Sequence, residues 1–268
     1  MPTLDVLGHP TWFAVHGDGD ETVLLLHGGL SNSDALLDSI GAPLAERRRV
    51  AAFDRRGHGR TADTPEAFHY ESMVDETIAF IEHIGAPVHI VGWSDGGIVG
   101  LLLALRRPEL VGRLVAIGAN FHWNMSTGVA GVTPSATEPA ADSDHDPSDD
   151  SMMVQIAAAY AERSPDGADH WAAVAAKGFH LFGIEPELTV DDLARVSVPV
   201  LVMAGDDDLI PLGHTTAFYA ALPEAQLAIV PGSSHGLPME HPHEVARLID
   251  RFLSSDVPPV TMMPNLRS

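Results

Sequence analysis

The chain predicts an α/β domain, a mostly parallel central sheet with helices on both faces, interrupted by one helical insertion. Three observations carry this. Strand-like and helix-like segments alternate from residue 22 to 119 and resume from 198 to 253. The segment Thr22-Val23-Leu24-Leu25-Leu26-His27 is apolar almost throughout, as a strand buried on both faces of a parallel sheet should be. At residues 88–105, β-formers run to Gly92 and helix formers take over after Gly97, so a strand turns sharply into a helix around Ser94.

In chain order, residues 11–16 and 22–27 are expected as strands, separated by the turn His16-Gly17-Asp18-Gly19-Asp20. His27-Gly28-Gly29-Leu30 and an Asn/Ser stretch lead to a helix from about Asp34 to Glu46. Val50 to Asp54 is a short strand running into Arg55-Arg56-Gly57-His58-Gly59-Arg60. Val74, Thr77, Ile78, Ile81 and Ile84 recur at three- and four-residue spacing, which predicts a helix over 71–84 ended by Gly85. The strand, turn and helix of 88–107 follow, stopped by Pro108, and Leu114 to Ile117 is the next strand.

The rhythm then breaks. Residues 126–150 are rich in Ser, Thr, Pro, Ala and Asp, which predicts a mobile acidic loop. Residues 151–163 and 168–180 read as helices, so 120–190 is expected as a helical cap inserted after the sixth strand. The core, 1–119 and 191–255, resumes with a strand at Val198 to Ala204 and the turn Gly205-Asp206-Asp207-Asp208-Leu209-Ile210-Pro211. A helix near 214–222, a strand at 226–230, the loop Pro231-Gly232-Ser233-Ser234-His235-Gly236 and a helix from Pro242 to Leu253 complete it. The tail 256–268 is expected to be loose.

Composition excludes several function classes. Lys and Arg number 15 against 37 Asp and Glu, a formal charge of −22, which argues against nucleic acid or an anionic membrane as partner. The chain contains no cysteine, which excludes disulfides, thiolate catalysis and cysteine-based zinc sites. No basic segment followed by an apolar stretch opens the chain, and the longest apolar run, Ile98 to Leu105, is far short of a membrane span; a cytoplasmic protein is expected. His241-Pro242-His243 has metal-like spacing without a further ligand, and the acidic run 142–150 lacks the glycine and terminal glutamate of a calcium loop, so neither a metal nor a cofactor is expected.

The chemistry concentrates in three places. Ser94, with glycines at 92, 96 and 97, fits a nucleophile elbow, and the following helix points its N-terminus at the serine. An acid follows the strand near 204, and a histidine follows the strand near 230. A serine needs a base to take its proton, and an imidazole needs a carboxylate to orient it. The order serine, acid, histidine, each at the carboxyl end of a strand, is the order of one particular fold.

With these pieces in place the chain resembles the α/β-hydrolases. The matching stretches are His27-Gly28-Gly29, Asp54-Arg55-Arg56-Gly57-His58-Gly59, the elbow at 92–97, Gly205 to Pro211, and Gly232-Ser233-Ser234-His235. Gly92-Trp93-Ser94-Asp95-Gly96-Gly97, with Arg107-Pro108 and Ile117-Gly118-Ala119-Asn120, is similar to valacyclovir hydrolase-like serine esterases. The resemblance implies Ser94 as nucleophile, His235 as general base and an aspartate as orienting acid. Its Gly-x-x-Asp pattern selects Asp208, while Asp207 keeps a four-residue spacing to Pro211 and Asp206 stands beside it. It also implies an oxyanion hole made by the backbone N–H groups of Gly29 and Asp95, with Leu30 as the second choice for the loop donor.

Asp95 carries two readings: a carboxylate stabilised by a helix N-terminus, or, as in the valacyclovir hydrolase-like group, an anchor for a substrate ammonium. Leu30, Trp93, Phe121, Trp123 and Met152 are the further substrate-contact candidates, each also readable as core. The expected activity is cofactor-free hydrolysis of small carboxylic esters, with the ester and water as the reaction partners. A carbon–carbon bond hydrolase, a lactonase and a perhydrolase or cofactor-free haloperoxidase share the same residues. A ligand-binding protein on a hydrolase scaffold is the alternative from a different class.

Overall fold

A computed structural model describes residues 2–128, 150–256 and 262. Among them, eight strands form one sheet in the order β1-β2-β4-β3-β5-β6-β7-β8. β1 (Thr3–Val6) and β2 (His9–His16) pair as an antiparallel hairpin at one edge, and β2 runs antiparallel to β4 (Arg49–Phe53). β3 (Thr22–Leu26), β4, β5 (Val88–Trp93), β6 (Val111–Ile117), β7 (Val200–Asp207) and β8 (Ala225–Ser234) are parallel.

The period-two geometry of the strands sorts their side chains into two cores. Leu24 and Leu26 of β3, Ala51 and Phe53 of β4, and Ile90 of β5 face one side; Val23, Leu25, Val50, Ala52 and Val91 face the other. All ten are buried, which is why these strands read as continuous apolar runs. The helices follow the same division. Leu36 of α1 (Asp34–Leu36) and Leu44 of α2 (Ala42–Ala45) lie in the second core, flanking a π-helical turn over Leu37–Gly41 where one uninterrupted helix was expected. α3 (Tyr70–Ile84) and α4 (Asp95–Arg106) cover the first.

Between β6 and β7 lie α5 (Asp150–Arg163), α6 (Trp171–Ile184) and the one-turn α7 (Val190–Leu193). The expected acidic loop lies outside the described residues from 129 to 149. α5 and α6 pack Tyr160, Val174 and Leu181 into the first core and are also tied to it by polar contacts. Arg163 donates to Asp34 at 2.8 Å, and Asp34 also takes Arg60. Asp63 accepts from Lys177 at 2.7 Å and pairs with His170 at 2.8 Å, while Glu185 accepts the Tyr70 N–H at 2.9 Å.

α8 (Leu212–Ala221), the one-turn α9 (Leu237–Glu240) and α10 (Pro242–Ser254) complete the fold. In α10, Val245, Ala246, Ile249, Phe252 and Leu253 form one buried stripe, each large member contributing roughly 1.5–3 kcal/mol on burial. Two further expectations needed correction. The edge strand β1 was missed because it is only four residues long with a single buried side chain. The loop expected after residue 230 is strand as far as Ser234, because the β7–β8 pairing shifts register between Gly205 and Asp207 and resumes at Asp207 and Ser234.

Candidate active site

β5 ends at Trp93 and α4 begins at Asp95, leaving Ser94 alone to reverse the chain. It does so at φ 52° and ψ −120°, a conformation that is costly for a residue with a side chain. The turn is possible only because its neighbours are glycines. A Cβ at Gly92 would lie 2.2 Å from the Gly96 backbone, and one at Gly96 would lie 2.0 Å from the Leu26 carbonyl oxygen. The Ser94 N–H donates to the Ile117 carbonyl at 2.8 Å, fastening the turn to β6.

His235 follows β8 and reaches across to this serine, with Nε2 3.1 Å from Ser94 Oγ. Its Nδ1 lies 2.7 Å from Asp208 Oδ1, so the three side chains form one hydrogen-bonded chain. Asp208 is buried, and its Oδ1 also accepts the Ile210 N–H at 3.0 Å. The neighbouring acids do other things. Asp206 Oδ1 accepts the N–H groups of Gly232 and Ser233 at 2.7 and 3.2 Å, holding the loop that carries His235. Asp207 is exposed within the β7–β8 ladder.

Two supporting residues were not singled out for these roles from the sequence. The Trp93 indole N–H donates to the His235 carbonyl at 2.8 Å, so Trp93 steadies the histidine's backbone while its ring packs against Gly28. Gly118, at φ 56°, lies under the pair: a Cβ there would stand 3.0 Å from His235 Nδ1 and 3.2 Å from Asp208 Oδ2. The signal was present in Ile117-Gly118-Ala119-Asn120, a glycine ending a central strand. Gly118→Ala is expected to lower kcat at least tenfold, because the side chain both strains the backbone and displaces the imidazole. Steady-state kinetics on the folded variant measure this, and an unchanged kcat would contradict it.

The loop after β3 approaches the serine from the other side. A Cβ at Gly29 would stand 2.5 Å from Asp95 Oδ2 and 2.6 Å from the Phe182 ring, so only glycine fits. Leu30, at φ 55°, turns its side chain into the core against Gly178 of α6. Asp95 is buried as the first residue of α4, and its N–H belongs to the unpaired first turn of that helix. Its Oδ1 accepts the Tyr70 hydroxyl at 2.9 Å. Burial pushes the Asp95 carboxyl up from its ordinary range, against the opposing pull of the nearby Arg55 cation.

The remaining candidates separate. Phe121, expected against the substrate, is fully buried and stacked on His214 with ring centroids 4.1 Å apart, which puts it in the core. Trp123 is half-buried, with its backbone N–H donating to the Pro186 carbonyl at 2.7 Å. Met152 falls on α5, but its side chain lies outside the described residues.

Three buried histidines near the site stay neutral in the folded chain. His27 is lowered well below the usual imidazole range, His58 to about 3 and His214 to about 4, each chiefly by burial. As pH falls below about 6.5, the unfolded chain protonates these imidazoles while the folded chain keeps them neutral, so the unfolded state binds more protons. Stability is therefore expected to fall with pH through the window from about 6.5 towards 4. Urea denaturation midpoints at pH 7 and 5.5 test this; a midpoint that held or rose on acidification would contradict it.

A doubly covered parallel sheet with serine, aspartate and histidine at the carboxyl ends of its strands defines a hydrolase-type α/β architecture. The profile of the alpha/beta hydrolase family matches residues 23–248, and the chain belongs to that family. A relative from Rhizobium rhizogenes named "Putative carbamate hydrolase RutD" is 27% identical over 266 residues, covering 90% of this chain and 97% of that protein. The human serine hydrolase BPHL is 26% identical over 261 residues, covering 88% and 80% of the two chains. Among solved structures, a serine hydrolase involved in carbazole degradation superposes with a TM-score of 0.75 at 23% identity, over 94% of this chain and 98% of that one, a likeness of fold. The chain is thus a hydrolase, and among the described residues no helix is long and apolar enough to cross a membrane.

Proposed function

We propose that this hydrolase cleaves small carboxylic esters through an acyl-enzyme on Ser94. The observation that carries the reading is the chain Ser94 Oγ–His235 Nε2 at 3.1 Å and His235 Nδ1–Asp208 Oδ1 at 2.7 Å, ending on a serine held in a strained conformation. The name of the human relative, a serine hydrolase, supports it.

In this mechanism His235 Nε2 takes the Ser94 hydroxyl proton as Oγ attacks the ester carbonyl. The developing oxyanion accepts from the N–H groups of Gly29 and Asp95. The imidazolium, stabilised through Nδ1–H by Asp208, gives its proton to the departing alcohol. Water then enters and gives a proton to the same Nε2 as its oxygen bonds to the acyl carbon; the C–Oγ bond breaks, the acid leaves, and Ser94 Oγ takes the proton back from the imidazolium. Asp208 stays ionised throughout.

The helical insertion 120–190 acts as the cap of this site. Phe182 of α6 lies against Gly29, so α6 forms a wall beside the acyl carbon. Asp95 is read here as structural: its Oδ1 is taken by Tyr70, and Arg55 already offsets its charge. A matched pair of esters, one with an α-amino group and one without, tests both points. Wild type is expected to hydrolyse the two within about threefold of each other, since an exposed-to-buried ammonium pair would be needed for a larger preference. A strong preference for the amino ester, lost selectively in Asp95→Ala, would make Asp95 an ammonium anchor instead; no turnover of either ester would contradict the ester reading.

A further inference from the structure

Arg55 is fully buried at the end of β4, yet it has few partners for its charge. Its Nε and Nη1 have no hydrogen-bond acceptor, and Nη2 lies 3.2 Å from the Gly28 carbonyl oxygen. A guanidinium stripped of water at this cost is a poor way to fill a core, where Leu or Met would pack as well. Its surroundings suggest a different use. Of the carboxylates acting on it, Asp95 acts most strongly, and Asp95 is the residue next to the nucleophile.

His27 completes the arrangement. Its Nε2 accepts the Arg55 backbone N–H at 3.1 Å, so in the neutral ring the proton sits on Nδ1. That proton is donated to the Gly28 carbonyl at 2.7 Å. The 3.2 Å approach of Arg55 Nη2 to His27 Nδ1 is then a contact between two donors, which leaves the Gly28 oxygen as the acceptor both share.

The consequence follows from peptide geometry. The Gly28 carbonyl and the Gly29 N–H belong to one planar peptide unit, and it is trans, the cis bonds of the described residues lying at Ala86-Pro87 and Glu185-Pro186. Whatever grips the carbonyl therefore aims the N–H in the opposite direction. Two donors on the oxygen also polarise the unit and strengthen the N–H as a donor.

We propose that Arg55 and His27 are positioning residues of the oxyanion hole: by holding the Gly28 carbonyl they aim the Gly29 N–H at the oxygen of the Ser94 adduct, while the guanidinium balances Asp95. This rests on the reading of Ser94 as nucleophile. It assigns a function to the buried cation of the Asp54-Arg55-Arg56-Gly57 stretch, and a division of labour with Asp54, which accepts from the Ser33 and Arg60 N–H groups and ties the same two loops together further out.

The test uses the full chain with p-nitrophenyl acetate as substrate and phenylboronic acid as a mimic of the tetrahedral adduct. Removing Arg55 alone would strand Asp95, so the informative variant is Arg55→Met with Asp95→Asn, compared with Asp95→Asn. A second pair is His27→Ala and His27→Asn, the asparagine amide being able to replace the Nδ1–H donor. A misaligned oxyanion donor is expected to lower kcat about 30- to 100-fold with KM within about threefold. Boronate affinity should fall in parallel, and His27→Asn should recover most of what His27→Ala loses. A kcat within threefold of the reference in the folded variants would overturn the proposal, as would His27→Asn and His27→Ala losing equally. If the double variant does not fold, the His27 pair decides alone. Wild-type turnover that does not depend on Ser94 would overturn the nucleophile reading itself; Ser94-dependent turnover with unaffected variants would overturn only this proposal.

Discussion

Ser94→Ala is expected to lower kcat for a carboxylic ester by about 10⁴-fold or more while leaving the fold intact. The reasoning is local. The hydroxyl is the group His235 Nε2 faces at 3.1 Å, and alanine offers nothing to deprotonate. The turn at φ 52° is maintained by Gly92 and Gly96 and by the Ser94 N–H bond to Ile117, none of which the substitution touches. Thermal stability should therefore change by no more than about 1 kcal/mol, the range of a substitution that opens no cavity and strands no charge. Turnover and melting temperature measured on one preparation separate the two effects. Activity within tenfold of wild type would remove Ser94 from the chemistry.

The second large effect concerns the acid. Asp208→Asn is expected to cost about 10³-fold or more in kcat, because an amide cannot stabilise the imidazolium and can turn its own N–H towards Nδ1, favouring the wrong tautomer. Asp207→Asn should change kcat by no more than about twofold, since that side chain is exposed in the β7–β8 ladder. Asp206→Asn should fall between them, at roughly tenfold, because it loosens the hold on Gly232 and Ser233 without touching the imidazole. The three variants, assayed side by side, rank the acids. If Asp207→Asn were the most damaging, the geometry around His235 would be misread.

The elbow was legible in the sequence because its constraints are local. Gly92, Ser94 and Gly96 lie within five residues, and the clash each absent Cβ would cause arises from the same turn or from the strand beside it. The parallel sheet was legible for a similar reason: strands buried on both faces must be apolar at every position. The choice among Asp206, Asp207 and Asp208 did not follow from local clashes but rested on the Gly-x-x-Asp pattern, which selects Asp208, the carboxylate 2.7 Å from His235 Nδ1. The stretch that carries these acids holds a register shift between Gly205 and Asp207, which composition does not mark.

The supporting residues were hidden by distance along the chain. Trp93 and His235 are 142 positions apart, Arg55 and His27 are 28 apart, and Tyr70 reaches Asp95 over 25. Each of them reads equally well as core until the pairing is known. Phe121 illustrates the converse. Its place next to the end of β6 suggested a pocket wall, but β6 delivers it into the stack with His214 and Phe218, on the buried side.

The most direct measurement is to trap the nucleophile. Incubation with diethyl p-nitrophenyl phosphate, followed by intact-mass analysis and peptide mapping, should show one diethylphosphoryl group on Ser94 of the wild type and none on Ser94→Ala. The label should form in step with loss of ester turnover. A wild type fully inhibited with the adduct on another residue, or one that keeps hydrolysing esters while remaining unlabelled, would contradict the account.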